Sequence, residues 1–168
     1  MIEVLRADIT TLSVDAIVNA ANSALAGGGG VDGAIHAAAG RELAAELRRY
    51  SGCPTGSAVI TRGYRLPARF VIHAVGPVWH GGDQGEPELL ASAYETSFEV
   101  AREERSIRSI AFSAISTGVY GYPKPAAAEI ALSVMIAHES ELERIVACLF
   151  DEQSVALYRD TLARLRAS

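Results

Sequence analysis

Short apolar runs, mostly β-branched, alternate along this chain with longer alanine-rich stretches whose apolar positions recur at helical spacing. The short runs predict strands at Glu3 to Arg6, Ala16 to Asn19, Ala58 to Thr61, Phe70 to Ala74, Ser109 to Ala114 and Ile145 to Phe150. The longer stretches predict helices over Gly33 to Arg49, Pro87 to Glu104, Ala126 to His138 and Ser154 to Ala167. Pro87 suits a helix start, where its missing N–H has no partner to lose. This alternation is the signature of an α/β layer fold. The link between Thr61 and Phe70 is short and holds Gly63 and Pro67, so those strands are expected to pair antiparallel. Strands separated by helices are expected parallel, which makes the central sheet of about six strands a mixed one.

The chain's 168 residues can bury a proper core without disulfides or metal, and no linker or low-complexity tract divides them, so residues 1–168 read as one domain. A hydrophobic content of 49% with 21% charged residues fits a globular protein. The net charge of −5 offers no basic footprint, which argues against a nucleic-acid partner. The longest apolar run is too short for a membrane span, and Met1 to Arg6 reads as a strand rather than a secretory leader. A cytoplasmic monomer without a membrane partner is the expectation. Cys53 and Cys148 lie far apart and outside any Cys-x-x-Cys pair, so two reduced thiols are expected. His36, His73, His80 and His138 show no metal-ligand spacing, and His36 in a helical run reads as a structural histidine. No metal and no cofactor are implied. The arginines at 48, 49, 102 and 105 read as solvated helix faces.

Two glycine-bearing loops change the picture. The first, Asn19 to Gly33, follows the second predicted strand and carries Gly27-Gly-Gly-Gly30 between two asparagines and Asp32. The second, Ser116 to Pro123, follows the fifth. Both fall beyond strand carboxyl ends, where open α/β sheets bind ligands. Consecutive glycines are costly on folding, and unobstructed N–H groups beside a helix start offer an anion site in return. Gly28-x-Gly30-x-x-Gly33 matches the dinucleotide fingerprint literally, but Asn19 to Ala26 separates it from the strand and no acidic residue ends a following strand. No Gly-Lys-Ser/Thr makes a phosphate loop, and no Gly-x-Ser-x-Gly elbow makes Ser116 a nucleophile.

On the residues alone, several roles stay open. Asp8 is a turn former or a ligand group, and Asn22 closes a turn or contacts a ligand. Asp32 stands just before the predicted helix. There it is either an N-cap contributing about 1 kcal/mol or a functional carboxylate beside an anion site. Phe150, Tyr120 and Tyr122 are packing residues or line the site.

Asp8-Ile9-Thr10, Val14-Asp-Ala-Ile-Val-Asn19-Ala-Ala-Asn22, Gly27-Gly-Gly-Gly-Val-Asp32-Gly-Ala-Ile-His36, Gly76-Pro-Val-Trp79 and Ala114-Ile-Ser-Thr-Gly118-Val-Tyr-Gly-Tyr-Pro123 together resemble a macrodomain of the MacroD type. The motifs keep the family's order nearly end to end. The resemblance implies a three-layer α/β/α sandwich with a mixed six-stranded sheet, and ADP-ribose as ligand. By this resemblance Asp8 accepts from the adenine amine with the N–H of Ile9 nearby, and Phe150 lies against adenine. Ala7 stands where relatives commonly have glycine. Backbone N–H groups of Gly30, Val31, Gly118, Val119 and Tyr120 are the implied diphosphate donors, within a second loop of Ser116, Thr117, Gly118, Val119, Tyr120, Gly121 and Tyr122. Tyr120 is assigned beside the phosphates and Tyr122 against the distal ribose. Asn22 would bond that ribose, Asn19 would brace the loop, and Asp32 would orient or activate the attacking water.

The implied activity is hydrolysis at the distal ribose, releasing mono-ADP-ribose from acidic protein side chains or acetate from O-acetyl-ADP-ribose. Mono-ADP-ribosylated proteins, or O-acetyl-ADP-ribose, are then the partners. Two alternatives stand beside it: a non-catalytic reader of ADP-ribose, and a phosphatase acting on ADP-ribose phosphate. A reader has no need of a carboxylate ten residues after Asn22.

Overall fold

The computed structural model describes residues 1–168. Six strands form one sheet: β1 (Ile2–Arg6), β2 (Ala16–Ala21), β3 (Ala58–Arg62), β4 (Phe70–Val75), β5 (Ser109–Phe112) and β6 (Arg144–Leu149). Their spatial order is β1-β6-β5-β2-β4-β3. Every neighbouring pair is parallel except β3 with β4, as the short link between them requires. Both edges are occupied by side chains. Tyr50 donates to Ile60 O (2.7 Å) and Glu46 accepts from the Arg62 N–H (3.1 Å) at β3, while Arg159 donates to Val4 O (3.2 Å) at β1.

The helices are α1 (Gly30–Ala39), α2 (Arg41–Leu47), α3 (Glu86–Glu103), α4 (Lys124–Ala137) and α5 (Glu152–Arg166). Alternate residues of each strand point to opposite faces. Val18, Ile72, Ile110 and Ala147 join Leu90, Phe98, Leu132 and Tyr158 of α3, α4 and α5 in one core. Ile17, Val71, Ala111 and Val146 join Ile35 and Leu43 of α1 and α2 in the other. The result is the expected α/β/α sandwich, with central strands buried on both faces and therefore read from sequence as apolar runs.

The predicted helix from Gly33 to Arg49 differs in two respects. It divides at Gly40, whose φ of +92° interrupts the helix between α1 and α2. It also begins three residues early, at Gly30 with φ +59°, and its N-cap is Gly29. Asp32 therefore lies inside the first turn and caps nothing. At two other ends the strands stop short of Ala114 and Phe150, β5 at Phe112 and β6 at Leu149, although Ser113 still donates its N–H (3.2 Å) and its hydroxyl (2.7 Å) to Val18 O of β2.

The connection from β4 to α3 braces the second glycine-bearing loop. Trp79 packs on Tyr122, with ring centroids 4.7 Å apart, and its backbone N–H donates to Tyr120 O at 2.8 Å. Glu86, 1% exposed, organises this connection by accepting the N–H groups of His80 (2.8 Å), Gly82 (3.0 Å) and Gln84 (2.7 Å). Burial by itself raises the carboxyl's pKa, but the backbone donors outweigh it and hold the group at about 2 instead of 4.5. A folded pKa below the unfolded one gives stability that is whole above pH 4.5 and lost as pH falls toward 2. Glu86→Gln is expected to melt below the native protein at about pH 7 and to lose less on acidification to about pH 3. Parallel curves of Tm against pH for the two proteins would contradict this role.

Candidate functional site

The first loop leaves β2 at Ala21 and closes on Asn22. The Asn22 Nδ2 group donates to Gly27 O (2.8 Å), its Oδ1 accepts from the Ala26 N–H (3.1 Å), and its own carbonyl accepts from the Leu25 N–H (3.0 Å). The loop then lies directly on α1. A Cβ on Gly33 would sit 2.5 Å from the Gly28 carbonyl oxygen, a contact that only glycine permits. The first N–H of α1 to find a carbonyl is that of Gly33, bonded to Gly29 O (3.2 Å). The N–H groups of Gly30, Val31 and Asp32 thus have no intrahelical partner, and these residues line a cleft. An exposed helix start with free donors favours an anion.

Asp32 is 6% exposed and divides its oxygens between two tasks. Its Oδ1 accepts from Asn19 Nδ2 at 2.8 Å and lies 3.3 Å from His36 Nε2. Its Oδ2 takes no hydrogen bond and is turned to the glycine loop. A Cβ on Gly28 would lie 3.7 Å from that oxygen and 3.9 Å from Asn22 Nδ2, so both side chains converge beside Gly28.

The second loop faces the first. Its entry is held by the Ile115 N–H donating to the Tyr94 hydroxyl (3.2 Å), a phenol whose pKa burial pushes up to about 12. Ser116 follows with a φ of +68°, and its Oγ is buried without a partner. Gly76 makes room for it, since a Cβ there would lie 2.1 Å from that oxygen. Tyr122 N–H to Ser116 O (2.9 Å) and Gly121 N–H to Gly118 O (3.0 Å) close the loop. The N–H groups of Thr117, Gly118, Val119 and Tyr120 donate to no backbone carbonyl.

Between the loops lies a cleft of about 590 Å³, the size that holds a small-molecule ligand. It opens across the carboxyl ends of β2, β5 and β6. Its cation is Lys124, the chain's one lysine, and its carboxylates are Asp32 and Asp151. With so few charged side chains, an anion here is held mainly by backbone donors. No group of three or more His, Cys, Asp and Glu side chains is placed to hold a metal ion.

Residues 18–131 match the Macro domain family. The chain belongs to that family. A macro domain-containing protein of Chlorobaculum tepidum is 55% identical over 166 residues, which span 97% of this chain and 96% of that protein. A Klebsiella pneumoniae protein named O-acetyl-ADP-ribose deacetylase is 56% identical over 168 residues, with 96% and 95% covered. The Oceanobacillus iheyensis macrodomain solved with ADP is 43% identical, with a TM-score of 0.92 over 99% of this chain and 92% of that one. The Trypanosoma brucei macrodomain in complex with ADP-ribose is 42% identical, with a TM-score of 0.86 over 95% and 68%.

In this macrodomain the sequence-predicted residues Asn22, Gly30, Val31, Asp32, Ser116, Thr117, Gly118, Val119, Tyr120 and Phe150 all line the cleft. Val119 is fully exposed and Phe150 is 63% exposed, so neither is core. Asp8 and Ile9 stand just behind one end. Asp8 accepts from Thr10 N–H (3.0 Å) and Oγ1 (2.7 Å), while Ile9 packs in the core with Cys148, a lining residue. The Cys148 thiol is pushed up to about 11, first by burial and then by the Asp8 charge, which makes it inert. Gly121 does not line the cleft. Tyr122 does not either, being 2% exposed and packed on Trp79. Asn19 is fully buried behind Asp32 and bonds that carboxylate directly. His36 reads from sequence as structural, yet its ring lies beside Asp32. The signal for this is its position four residues after Asp32 on the helix.

Gly33→Ala is expected to lower stability by about 1–3 kcal/mol, as overpacking against a fixed carbonyl does. An unchanged denaturation midpoint would show that the loop does not rest on α1 as described.

Proposed function

We propose that this macrodomain binds ADP-ribose and hydrolyses esters at its distal ribose, releasing mono-ADP-ribose from acidic protein side chains or acetate from O-acetyl-ADP-ribose. The observation that carries the reading is the placement of Asp32. The bland role for this carboxylate is an N-cap, and that position belongs to Gly29, with no side-chain cap bond. Asp32 instead keeps Oδ2 unengaged beside Asn22, at the mouth of two rows of free N–H groups. A second anion next to a phosphate site is unfavourable unless it takes part in the chemistry.

The diphosphate spans the two loops on the donors of Gly30, Val31, Gly118, Val119 and Tyr120. Adenine points to the end lined by Cys148, Leu149 and Phe150, against the exposed Phe150 ring and within reach of Asp8. The distal ribose then meets Asn22 and Asp32. A water held by Asp32 Oδ2 attacks the acyl carbon of the acetyl ester or the ribose carbon of the protein ester, and Asp32 aligns it or takes its proton. The side-chain carboxylate departs with the bonding pair, or the ribose oxygen departs with it and takes the proton that Asp32 removed from the water, becoming the ribose hydroxyl. Where the ribose carbon is attacked, its developing positive charge is stabilised by the nearby diphosphate. The deacetylase name carried by the Klebsiella pneumoniae relative supports this reading, as do the ADP and ADP-ribose named with the two solved relatives.

Asp32→Asn is expected to lower kcat by about 10²–10⁴-fold on aspartyl- or glutamyl-linked ADP-ribosylated protein or on O-acetyl-ADP-ribose, with ADP-ribose binding kept. Native turnover by the variant would remove the mechanism, and no ADP-ribose release by the native protein from any of these substrates would leave a reader. Calorimetry checks the adenine end separately. Asp8→Ala and Phe150→Ala are each expected to weaken ADP-ribose binding by about 1–3 kcal/mol, and unchanged affinities would discredit that placement.

A further inference from the structure

Behind Asp32 a line of buried polar groups crosses three strands. Asn19 of β2 and His73 of β4 are partners in register, and both side chains lie on the α1 face with Ile17 and Val71. Asn19 Nδ2 has two hydrogens, and two acceptors meet it: Asp32 Oδ1 at 2.8 Å and His73 Nδ1 at 3.1 Å. Turning the Asn19 amide over would set its oxygen against the Asp32 carboxylate, acceptor against acceptor, so this orientation is the one that bonds.

The rest follows from proton counting. His73 Nδ1 accepts only when it carries no hydrogen, which places the ring's proton on Nε2. That N–H points to Thr61 Oγ1 at 3.0 Å, and the Thr61 hydroxyl in turn donates to Arg62 O at 3.1 Å. Each donor meets an acceptor outward from Asn19, at Asp32 on one side and through His73, Thr61 and Arg62 O on the other. Burial, and then the neighbouring His36 ring 6.5 Å away, bring the His73 pKa down to about 3. The arrangement also leaves Asn19 Oδ1 buried without a partner. An apolar trio at these positions would serve the core better, since a buried unmatched carbonyl is unfavourable. Three polar residues, each at most 2% exposed and each on a different strand, are linked in a line that ends on one oxygen of one carboxylate.

We infer that His73 is a positioning residue for Asp32: its neutral Nε2–H tautomer fixes the Asn19 amide, and that amide holds Asp32 Oδ1 so that Oδ2 faces the cleft. Thr61 anchors the far end of the line. The consequence for turnover rests on the hydrolase reading above, while the tautomer does not.

Nitrogen-15 NMR of the native protein tests the network without any mutation. His73 is expected to show an unprotonated Nδ1 and a protonated Nε2, unchanged between about pH 5 and pH 9. A protonated Nδ1, or titration in that range, would overturn the inference whether or not the protein is a hydrolase. Two variants then read the effect on the reaction. His73→Leu removes the acceptor and is expected to lower kcat by about 100-fold at unchanged KM, the cost of a small misplacement in an active site. His73→Asn, whose amide oxygen can stand in for Nδ1, is expected to recover most of that loss. A folded His73→Leu with native kcat, or an Asn variant as slow as the Leu one, would reduce His73 to a packing residue. If His73→Leu prevents folding, the native spectrum and the Asn variant decide the matter.

Discussion

A carboxylate buried to 6% exposure without a lysine or arginine beside it is costly, and the site depends on how Asp32 meets that cost. Two features offset it. The first turn of α1 supplies the positive end of the helix dipole, and Asn19 supplies a hydrogen bond to the charged group at 2.8 Å. The helix start is set by Gly29 and Gly30 in the loop, and Asn19 is set by the register of β2 against β4. Asp32 Oδ1 therefore ties the first turn of α1 to the sheet through Asn19.

The second loop is stabilised differently. Its strained Ser116 and its unpaired N–H groups would not persist alone, and the surrounding structure over-determines them. Tyr94 holds the loop's entry from α3, and the Trp79 backbone N–H holds Tyr120. Glu86 organises the segment that carries Trp79, and Gly76 leaves the space that Ser116 fills. The first loop is closed by the Asn22 side chain and seated on α1, and the second is braced through the connection that the buried Glu86 organises. Between them the donors stand ready before any ligand arrives, which lowers the ordering cost of binding.

Strands were legible because buried parallel strands read as apolar runs, and the antiparallel turn because its link is too short for a crossover. The division at Gly40 was not. A glycine inside an alanine-rich run costs only about 1 kcal/mol in a helix, and nothing in the sequence marks its φ as positive. The early start of α1 has the larger consequence, because a helix from Gly33 would make Asp32 a cap, whereas a helix from Gly30 places it inside the first turn beside the cleft. Most lining residues were found through motif order, whereas Tyr122, outside the cleft, follows a loop path that sequence does not reveal. His73 was visible as the lone polar residue in Phe70–Val75. Its meaning was not, because its partner Asn19 lies 54 positions away and only strand register brings them together.

In the hydrolysis proposed above, Asp32 Oδ2 is held open for a water that attacks at the distal ribose. A crystal structure of the native protein with ADP-ribose tests it most directly. The diphosphate is expected on the N–H groups of both loops, the distal ribose beside Asn22, and an ordered water about 2.6–3.2 Å from Asp32 Oδ2 facing that ribose. A ribose turned away from Asp32, or Oδ2 bonded to a ligand hydroxyl with no room for water, would contradict it.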